Sequence, residues 1–144
     1  MPRSDHIANE NRELSHSSPI KILLVDDHPQ VRKVLREVIE MHDVLKIVGE
    51  AINGEEAVLF ATKLKPAAVV MDVHLPVLNG VPATALIKRN NPFTAIVGLT
   101  AGDPHEDEKA MIIAGAAAVI NKSDAFQALY PAILNAIKQI KYPV

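Results

Sequence analysis

The sequence predicts an α/β fold in which one parallel sheet of five strands is covered by five helices on its two faces. Short β-branched apolar segments alternate five times with segments whose apolar residues recur at helical spacing. The strand segments are apolar along most of their length, which is typical of strands buried on both faces. Strict alternation of the two kinds of segment favours β–α–β crossovers, and therefore a parallel sheet.

The first two strands are predicted at residues 20–25 and 45–48, and each is followed by a helix. Pro29 begins the first helix at a position where a backbone N–H would have no intrahelical partner. Asn53 and Glu56 form a capping box at the start of the second helix. The apolar faces of these two helices consist of Val31, Val34, Leu35, Val38 and Ile39, and of Ala57, Phe60, Ala61 and Leu64.

The third and fourth strands are predicted at residues 67–71 and 94–99. Asn79 caps the helix that follows the third strand. Asp103, with a proline directly after it, caps the helix that follows the fourth strand. Gly115 ends that helix, because glycine readily adopts the left-handed conformation found just beyond helix C-termini.

The last strand is predicted at residues 117–120, and Ser123 caps the final helix. Residues 1–18 are polar and lack periodicity, so they are expected to form a disordered leader. The folded domain is therefore predicted to cover residues 19–144. The final helix carries a continuous apolar stripe of Phe126, Leu129, Tyr130, Ile133, Leu134 and Ile137.

The composition excludes several classes of function. A net charge of −2 and a pI near 6.3 give no basic surface for direct nucleic-acid binding and no polybasic segment for a membrane. The chain has no cysteine, so disulfides, thiolate catalysis and cysteine metal sites are absent. No apolar run approaches the roughly 20 residues needed to span a bilayer. The chain is expected to be cytoplasmic.

Polar side chains follow four of the five predicted strands. Asp26 and Asp27 come after the first strand, Asp72 after the third, Thr100 after the fourth and Lys122 shortly after the fifth. Right-handed crossovers place the C-terminal ends of parallel strands at the same edge of a sheet. Open sheets of this kind bind ligands at that edge. Three acids, a hydroxyl and an amine are therefore predicted to share one cleft.

The chemistry of such a cleft points to phosphoryl transfer. Three neighbouring carboxylates raise one another's pKa, and a hard divalent cation such as Mg²⁺ relieves this repulsion. One carboxylate can then act as a nucleophile toward phosphorus and form an aspartyl phosphate. Lys122 and Thr100 can each contact a phosphoryl oxygen, and the small Ala101 leaves room for the group.

Together these motifs resemble the receiver domain of the response regulators of two-component signalling. The resemblance covers roughly residues 20–140 and implies a flavodoxin-like, doubly wound fold with strand order 2-1-3-4-5. The sequence Val-Asp-Asp-His-Pro at residues 25–29, and serine rather than proline after Lys122, are most similar to the receivers of LuxR-type regulators. The motifs that carry the resemblance lie at residues 25–29, 71–76, 79–80, 99–101, 115–116 and 122.

The resemblance implies a role for each acid. Asp72 would be the phosphoacceptor, and a sensor histidine kinase would be the phosphoryl donor. Asp26 and Asp27 would bind Mg²⁺ together with Asp72 and the backbone carbonyl of His74. The His74 side chain is hypothesised to tune the lifetime of the phosphoryl group, because it stands two residues after the phosphoacceptor.

The resemblance also implies a conformational switch. Thr100 would be the switch hydroxyl, Ala101 would border the phosphoryl group, and Lys122 would pair with it. The family usually has an aromatic residue three positions before the lysine, but here that position holds Val119. Switching is therefore expected to rely on loop movement. The output would be a downstream effector or an output domain outside this sequence, and homodimerisation is left open.

Two other functions fit parts of the pattern. A haloacid-dehalogenase-like phosphatase also uses an aspartyl nucleophile, but it usually has an acid two residues later to protonate the leaving group. Here that position is His74, and no inserted segment is available to enclose a substrate. An interaction module without phosphorylation is the other alternative, although nothing in the motif set favours it. The prediction is a phosphorylation-dependent switch rather than an enzyme.

Overall fold

The computed structural model describes residues 18–102 and 104–141, which form one five-stranded parallel sheet and the helices around it. The strand order is β2-β1-β3-β4-β5, which confirms the predicted doubly wound fold. The central position of β3 places the end of this strand in the middle of the sheet edge. The strands are β1 Ile20–Val25, β2 Leu45–Ala51, β3 Ala68–Asp72, β4 Ala95–Thr100 and β5 Ala118–Asn121.

Each described strand except the last is followed by one α-helix, while a short 3₁₀ turn comes between β5 and the final helix. Proline is the first residue of α1, as predicted, and Asn53 accepts a hydrogen bond of 2.8 Å from the Glu56 N–H at the start of α2. The helices are α1 Pro29–Glu40, α2 Gly54–Leu64, α3 Gly80–Asn90, α4 Pro104–Ala114 and α5 Ala125–Lys141, and the 3₁₀ turn is Lys122–Asp124.

Two hydrophobic clusters cover the two faces of the sheet. Successive side chains of a strand point to opposite faces, so Leu24 joins one cluster while Leu23 joins the other. On the face with Leu24, α1 contributes Leu35 and α5 contributes Ile133 to the cluster. On the face with Leu23, the helical residues of the cluster come from α2, α3 and α4. Every residue of β3 is buried. This burial on both faces explains why the strands are apolar along their length.

Strand β2 is longer than the predicted segment 45–48. Residues Ile20–Ile22 of β1 pair in register with Leu45–Ile47, and the register shifts by one residue so that Leu23 pairs with Gly49. This β-bulge leaves Val48 without a directly opposite residue, and pairing then continues to Ala51. An apolar run alone cannot reveal that a strand continues beyond such an irregularity.

The apolar stripe predicted on a helix is wider than the part of that helix that is buried against the sheet. Val34 of α1 is 58% exposed and Phe126 of α5 is 66% exposed, although both were predicted to face the core. Leu64 also lies at an exposed edge of α2. The contact with the sheet covers only an arc of each helix, and these side chains lie outside that arc.

The start of the last helix also differs from the prediction. The Asn121 side chain accepts a hydrogen bond of 2.9 Å from the Ser123 N–H, and Ser123 donates its own hydroxyl to the same oxygen. Ser123 is therefore not a helix cap; Asn121 caps the 3₁₀ turn, and α5 begins at Ala125. This arrangement fixes the backbone at Lys122.

Some predictions fall outside the described residues. The expected disordered leader lies almost wholly in residues 1–17, and the predicted cap Asp103 is the single undescribed residue between β4 and α4. Both stay predictions, as does the domain boundary at residue 19. Among the described residues, the helices are too short or too polar to cross a membrane.

Candidate functional site

Asp72 is the last residue of the central strand and is only 4% exposed. Its Oδ1 accepts a hydrogen bond of 2.9 Å from the backbone N–H of His74, and its Oδ2 accepts one of 2.9 Å from the Lys122 ammonium. Gly80 packs directly against this strand end, because a Cβ at Gly80 would lie 2.6 Å from the Asp72 carbonyl oxygen. The carboxylate is therefore held in one orientation by the loop after β3 and by Lys122, which follows β5.

Asp26 and Asp27 follow β1 and face the same edge of the sheet. Asp26 is fully buried, and its Oδ1 accepts a hydrogen bond of 2.9 Å from the His28 N–H. The Asp27 side chain is 29% exposed, and its Oδ1 lies 3.2 Å from the His28 ring Nδ1. Arg32 donates a 2.8 Å hydrogen bond to the Asp26 carbonyl oxygen, which anchors the end of β1 to α1.

Lys122 joins the acids of two different strands. Its Nζ lies 2.8 Å from Asp26 Oδ2 and 2.9 Å from Asp72 Oδ2. Burial lowers the pKa of the Lys122 ammonium, but its contacts with the two carboxylates outweigh burial and raise that pKa above its ordinary value of 10.5. The side chain therefore stays charged at neutral pH, and it fixes the spacing of the two acids.

The donor atoms in this cleft suit a hard divalent cation. Oxygens of Asp26, Asp27 and Asp72 and a ring nitrogen of His28 all lie within 4.8 Å of one another. Three carboxylates face one ammonium, so negative charge remains in excess. Among the described residues, Asp26 Oδ2 has only the Lys122 ammonium as a partner, and the buried Asp27 Oδ1 accepts no hydrogen bond, although the His28 ring nitrogen lies 3.2 Å away. Carboxylate oxygens with so few hydrogen-bond donors are ligands that Mg²⁺ prefers.

Thr100 and Ala101 lie at the same edge, but the Thr100 hydroxyl is directed to a residue that the sequence did not indicate. Thr100 is fully buried, and its Oγ1 donates a 3.0 Å hydrogen bond to Oδ2 of Asp107 in α4. The same Asp107 oxygen lies 2.8 Å from Nε2 of His74. Ala101 is exposed directly after β4. The switch role of Thr100 and the His74 carbonyl as a metal ligand stay predictions.

Val119 occupies the position where an aromatic residue was expected. It is partly buried in β5 and packs with the cluster formed by α2, α3 and α4. A Cβ placed on Gly98 of β4 would lie 3.3 Å from a Val119 methyl group. Val119 therefore fills space beside the sheet, and the predicted reliance on loop movement is not tested by this arrangement.

A network of two arginines and a glutamate is hydrogen-bonded to the acidic side of the cleft. Arg36 donates two hydrogen bonds to Glu50, at 2.7 Å and 2.8 Å, and Arg32 donates a third at 2.9 Å. The hydrogen bonds from Arg36 hold the pKa of the Glu50 carboxyl below its ordinary value of 4.5, against the opposing effect of burial. Arg32 thus connects this network to the Asp26 carbonyl.

We expect Glu50→Gln to lower the free energy of unfolding by about 1 kcal/mol at neutral pH, because partial solvent exposure limits the strength of these ion pairs. The lowered pKa means that the contribution is present above pH 4.5 and is lost as the pH falls through the folded-state value. Urea unfolding of both proteins at several pH values measures this difference. Glu108→Gln, at an exposed position on α4, serves as the control; an equal loss there would contradict the assignment.

The fold and the acidic cleft define a class of signalling domain, and comparison with known sequences identifies it. A family model described as the response regulator receiver domain matches residues 22–134. The chain belongs to this family. It is 35% identical over 114 residues to the response regulator GacA of Pseudomonas protegens, covering 79% of this chain and 54% of GacA. The chain thus spans about half the length of this relative.

Solved structures of receiver domains have the same architecture. The response regulator domain of CheB from Thermotoga maritima aligns with a TM-score of 0.76 at 29% identity, covering 83% of this chain and 97% of that one. A LuxR-family two-component response regulator from Aurantimonas sp. aligns with a TM-score of 0.72 at 28% identity, covering 86% and 99%. A protein-glutamate methylesterase/protein-glutamine glutaminase from Methanococcoides burtonii is 40% identical over 78 residues, covering 54% of this chain and 22% of that protein.

Proposed function

We propose that Asp72 of this receiver domain accepts a phosphoryl group from a phosphohistidine of a sensor histidine kinase, and that phosphorylation changes the domain surface that a downstream partner contacts. One observation carries the proposal: the Lys122 ammonium contacts both Asp26 and Asp72, so that three separate strand ends meet in one cleft. The clustered carboxylates of Asp26, Asp27 and Asp72 support a cation site beside the acceptor.

Asp72 is suited to be the nucleophile because its carboxylate is fixed at the centre of the sheet edge. The carboxylate attacks phosphorus, an O–P bond forms, and the P–N bond to the donor imidazole breaks with its electron pair returning to nitrogen. The ammonium of Lys122 then pairs with a phosphoryl oxygen. Asp26, Asp27 and Asp72, with the His74 carbonyl, would hold Mg²⁺, which when bound neutralises charge on the transferred group.

The domain is proposed to act as a switch rather than as an enzyme. Its acceptor is its own side chain, so the reaction ends after one transfer until the acyl phosphate is hydrolysed. Phosphorylation would shift an equilibrium between two surface arrangements and so change the affinity for a partner. That partner is a separate effector or an output domain beyond this sequence.

Treatment with acetyl phosphate and Mg²⁺ tests the proposal. We expect the intact mass of the protein to increase by one phosphoryl group, and we expect a chelator to prevent this increase because the acidic cluster then lacks its cation. Folded protein that takes up no phosphoryl group would favour the interaction module. Sustained hydrolysis of phosphomonoesters would instead favour the phosphatase.

A groove beside Lys122 is proposed as the contact surface for the phosphohistidine-bearing domain of the kinase. Its volume is about 470 Å³, and it lies between α1 and the start of α5. Val34 and Phe126, two of the apolar side chains that the sequence placed in the core, are exposed here. The lining is mostly apolar and includes Lys122 itself, so that a partner seated in the groove would lie next to the phosphoacceptor cleft.

We expect Phe126→Ala to slow phosphoryl transfer from a phosphorylated sensor-kinase domain by about tenfold, the loss typical of removing one apolar anchor from an interface. Transfer from acetyl phosphate should not change, because this small donor does not need the groove. Phe93→Ala is the matched control: Phe93 is 77% exposed and lies near Ala67, at the opposite edge of the sheet. Equal rates for wild type and Phe126→Ala with the kinase donor would contradict the assigned surface.

A further inference from the structure

Asp107 of α4 receives two polar contacts on a single carboxylate oxygen. The fully buried Thr100 donates its hydroxyl hydrogen to Oδ2 at 3.0 Å, and His74 Nε2 lies 2.8 Å from the same atom. The Asp107 side chain is only 22% exposed, while the His74 side chain is 63% exposed. The first turn of α4 is thereby attached to the end of β4 and to the loop after β3.

We propose that Asp107 is a positioning residue that holds the Thr100 hydroxyl in the unphosphorylated state and couples phosphorylation to release of the first turns of α4. This inference rests on the proposed function of Asp72. A threonine hydroxyl has one hydrogen, so it donates to one acceptor at a time. If Thr100 donates to a phosphoryl oxygen, its hydrogen bond to Asp107 is broken.

Release would be confined to one end of α4. Met111 is the only fully buried side chain among the residues of α4 whose side chains the structure describes, and it lies in the second half of the helix. The first turns have Asp107 as their partly buried polar anchor to the sheet. Loss of this anchor leaves the Met111 end packed while the start of the helix opens. Acidic residues in the first turn also stabilise a helix by interacting with its dipole. A test of Asp107 therefore needs a control that removes the charge of another acid in that turn.

Hydrogen exchange of the unphosphorylated protein tests the anchor directly. In Asp107→Ala, exchange of the amides in the first two turns of α4 should rise by about tenfold, the factor expected when a hydrogen bond to a charged group is lost. Asp107→Asn keeps an acceptor oxygen and should give a smaller rise. Glu106→Ala removes a first-turn charge of the same sign and should give little change; an equal rise there would overturn the proposal.

A double substitution tests whether Asp107 acts through Thr100. Thr100→Ala alone should also increase exchange at the start of α4. Adding Asp107→Ala should then produce a smaller increase than Asp107→Ala produces in the wild type, because the shared hydrogen bond is already absent and only the contact with His74 is still to be lost. Independent, additive effects of the two substitutions would overturn the proposed route. A purely structural role of Asp107 at the helix start would give additivity.

Phosphorylation itself supplies the final test. Wild-type protein treated with acetyl phosphate and Mg²⁺ should show exchange in α4 close to that of untreated Asp107→Ala, and treatment of the variant should add little. A wild-type protein that gains a phosphoryl group without any change in α4 would overturn this inference and leave the phosphoacceptor intact. A wild-type protein that gains no phosphoryl group would overturn the proposed function, and the exchange of the untreated variants would still report whether the anchor exists.

Discussion

Asp72→Asn is expected to abolish phosphoryl uptake from acetyl phosphate, whereas the wild-type protein is expected to gain one phosphoryl group. The amide has nearly the shape of the carboxylate and can still accept the hydrogen bond from the His74 N–H. It carries no negative charge, however, and is a poor nucleophile toward phosphorus. The substitution therefore removes the reaction with little change in packing. Intact mass before and after treatment measures the result.

A nearby acid provides the control for this substitution. Asp124 lies in the exposed 3₁₀ turn two residues after Lys122, outside the cleft. Asp124→Asn changes the net charge by the same amount and should be phosphorylated like the wild type. Uptake of one group by Asp72→Asn would show that another carboxylate is the acceptor, and Asp26 and Asp27 would be the next to test.

The strand ends that form the cleft could be predicted from the sequence, because their positions follow from local pattern and sheet topology. Apolar segments of strand length identify where each strand ends, and right-handed crossovers bring these strand ends to one edge of the sheet. The contacts of Lys122 with Asp26 and Asp72 are consistent with this reasoning across almost a hundred residues of chain. The bulge in β2 could not be predicted from the sequence, because it depends on how β2 pairs with β1.

Asp107 could not be recognised from the sequence for a different reason. An acid in the first turn of a helix is commonly explained by the helix dipole, and this explanation needs no tertiary partner. Only the structure shows that α4 brings this acid within hydrogen-bonding distance of Thr100. The exposure of Val34 and Phe126 is similar: periodicity defines an apolar stripe, but the neighbouring elements decide how much of it is covered.

Lys122→Met is expected to have the largest effect on stability in the absence of metal ions. Asp26 is fully buried and Asp72 is 4% exposed, so the substitution leaves two buried carboxylates without their shared cation. Removing one partner of a buried ion pair costs about 3–5 kcal/mol. The Lys122 side chain is 17% exposed, and this places the expected loss near the lower end, at about 3 kcal/mol. Urea unfolding in the presence of a chelator measures it.

Mg²⁺ should restore part of the stability lost in Lys122→Met. Because the ion can replace the charge of the ammonium but not the packing of its side chain, the restored part measures the contribution of the charge. A cation that binds only the folded protein stabilises it by about 2.7 kcal/mol at a hundredfold excess over its dissociation constant. Without the ammonium the cleft is more negative, so Mg²⁺ should stabilise Lys122→Met more than the wild type. Lys109→Met, at an exposed position on α4, should show neither the loss nor the additional response. Equal Mg²⁺ responses of wild type and Lys122→Met would mean that the cation does not bind beside Asp26 and Asp72.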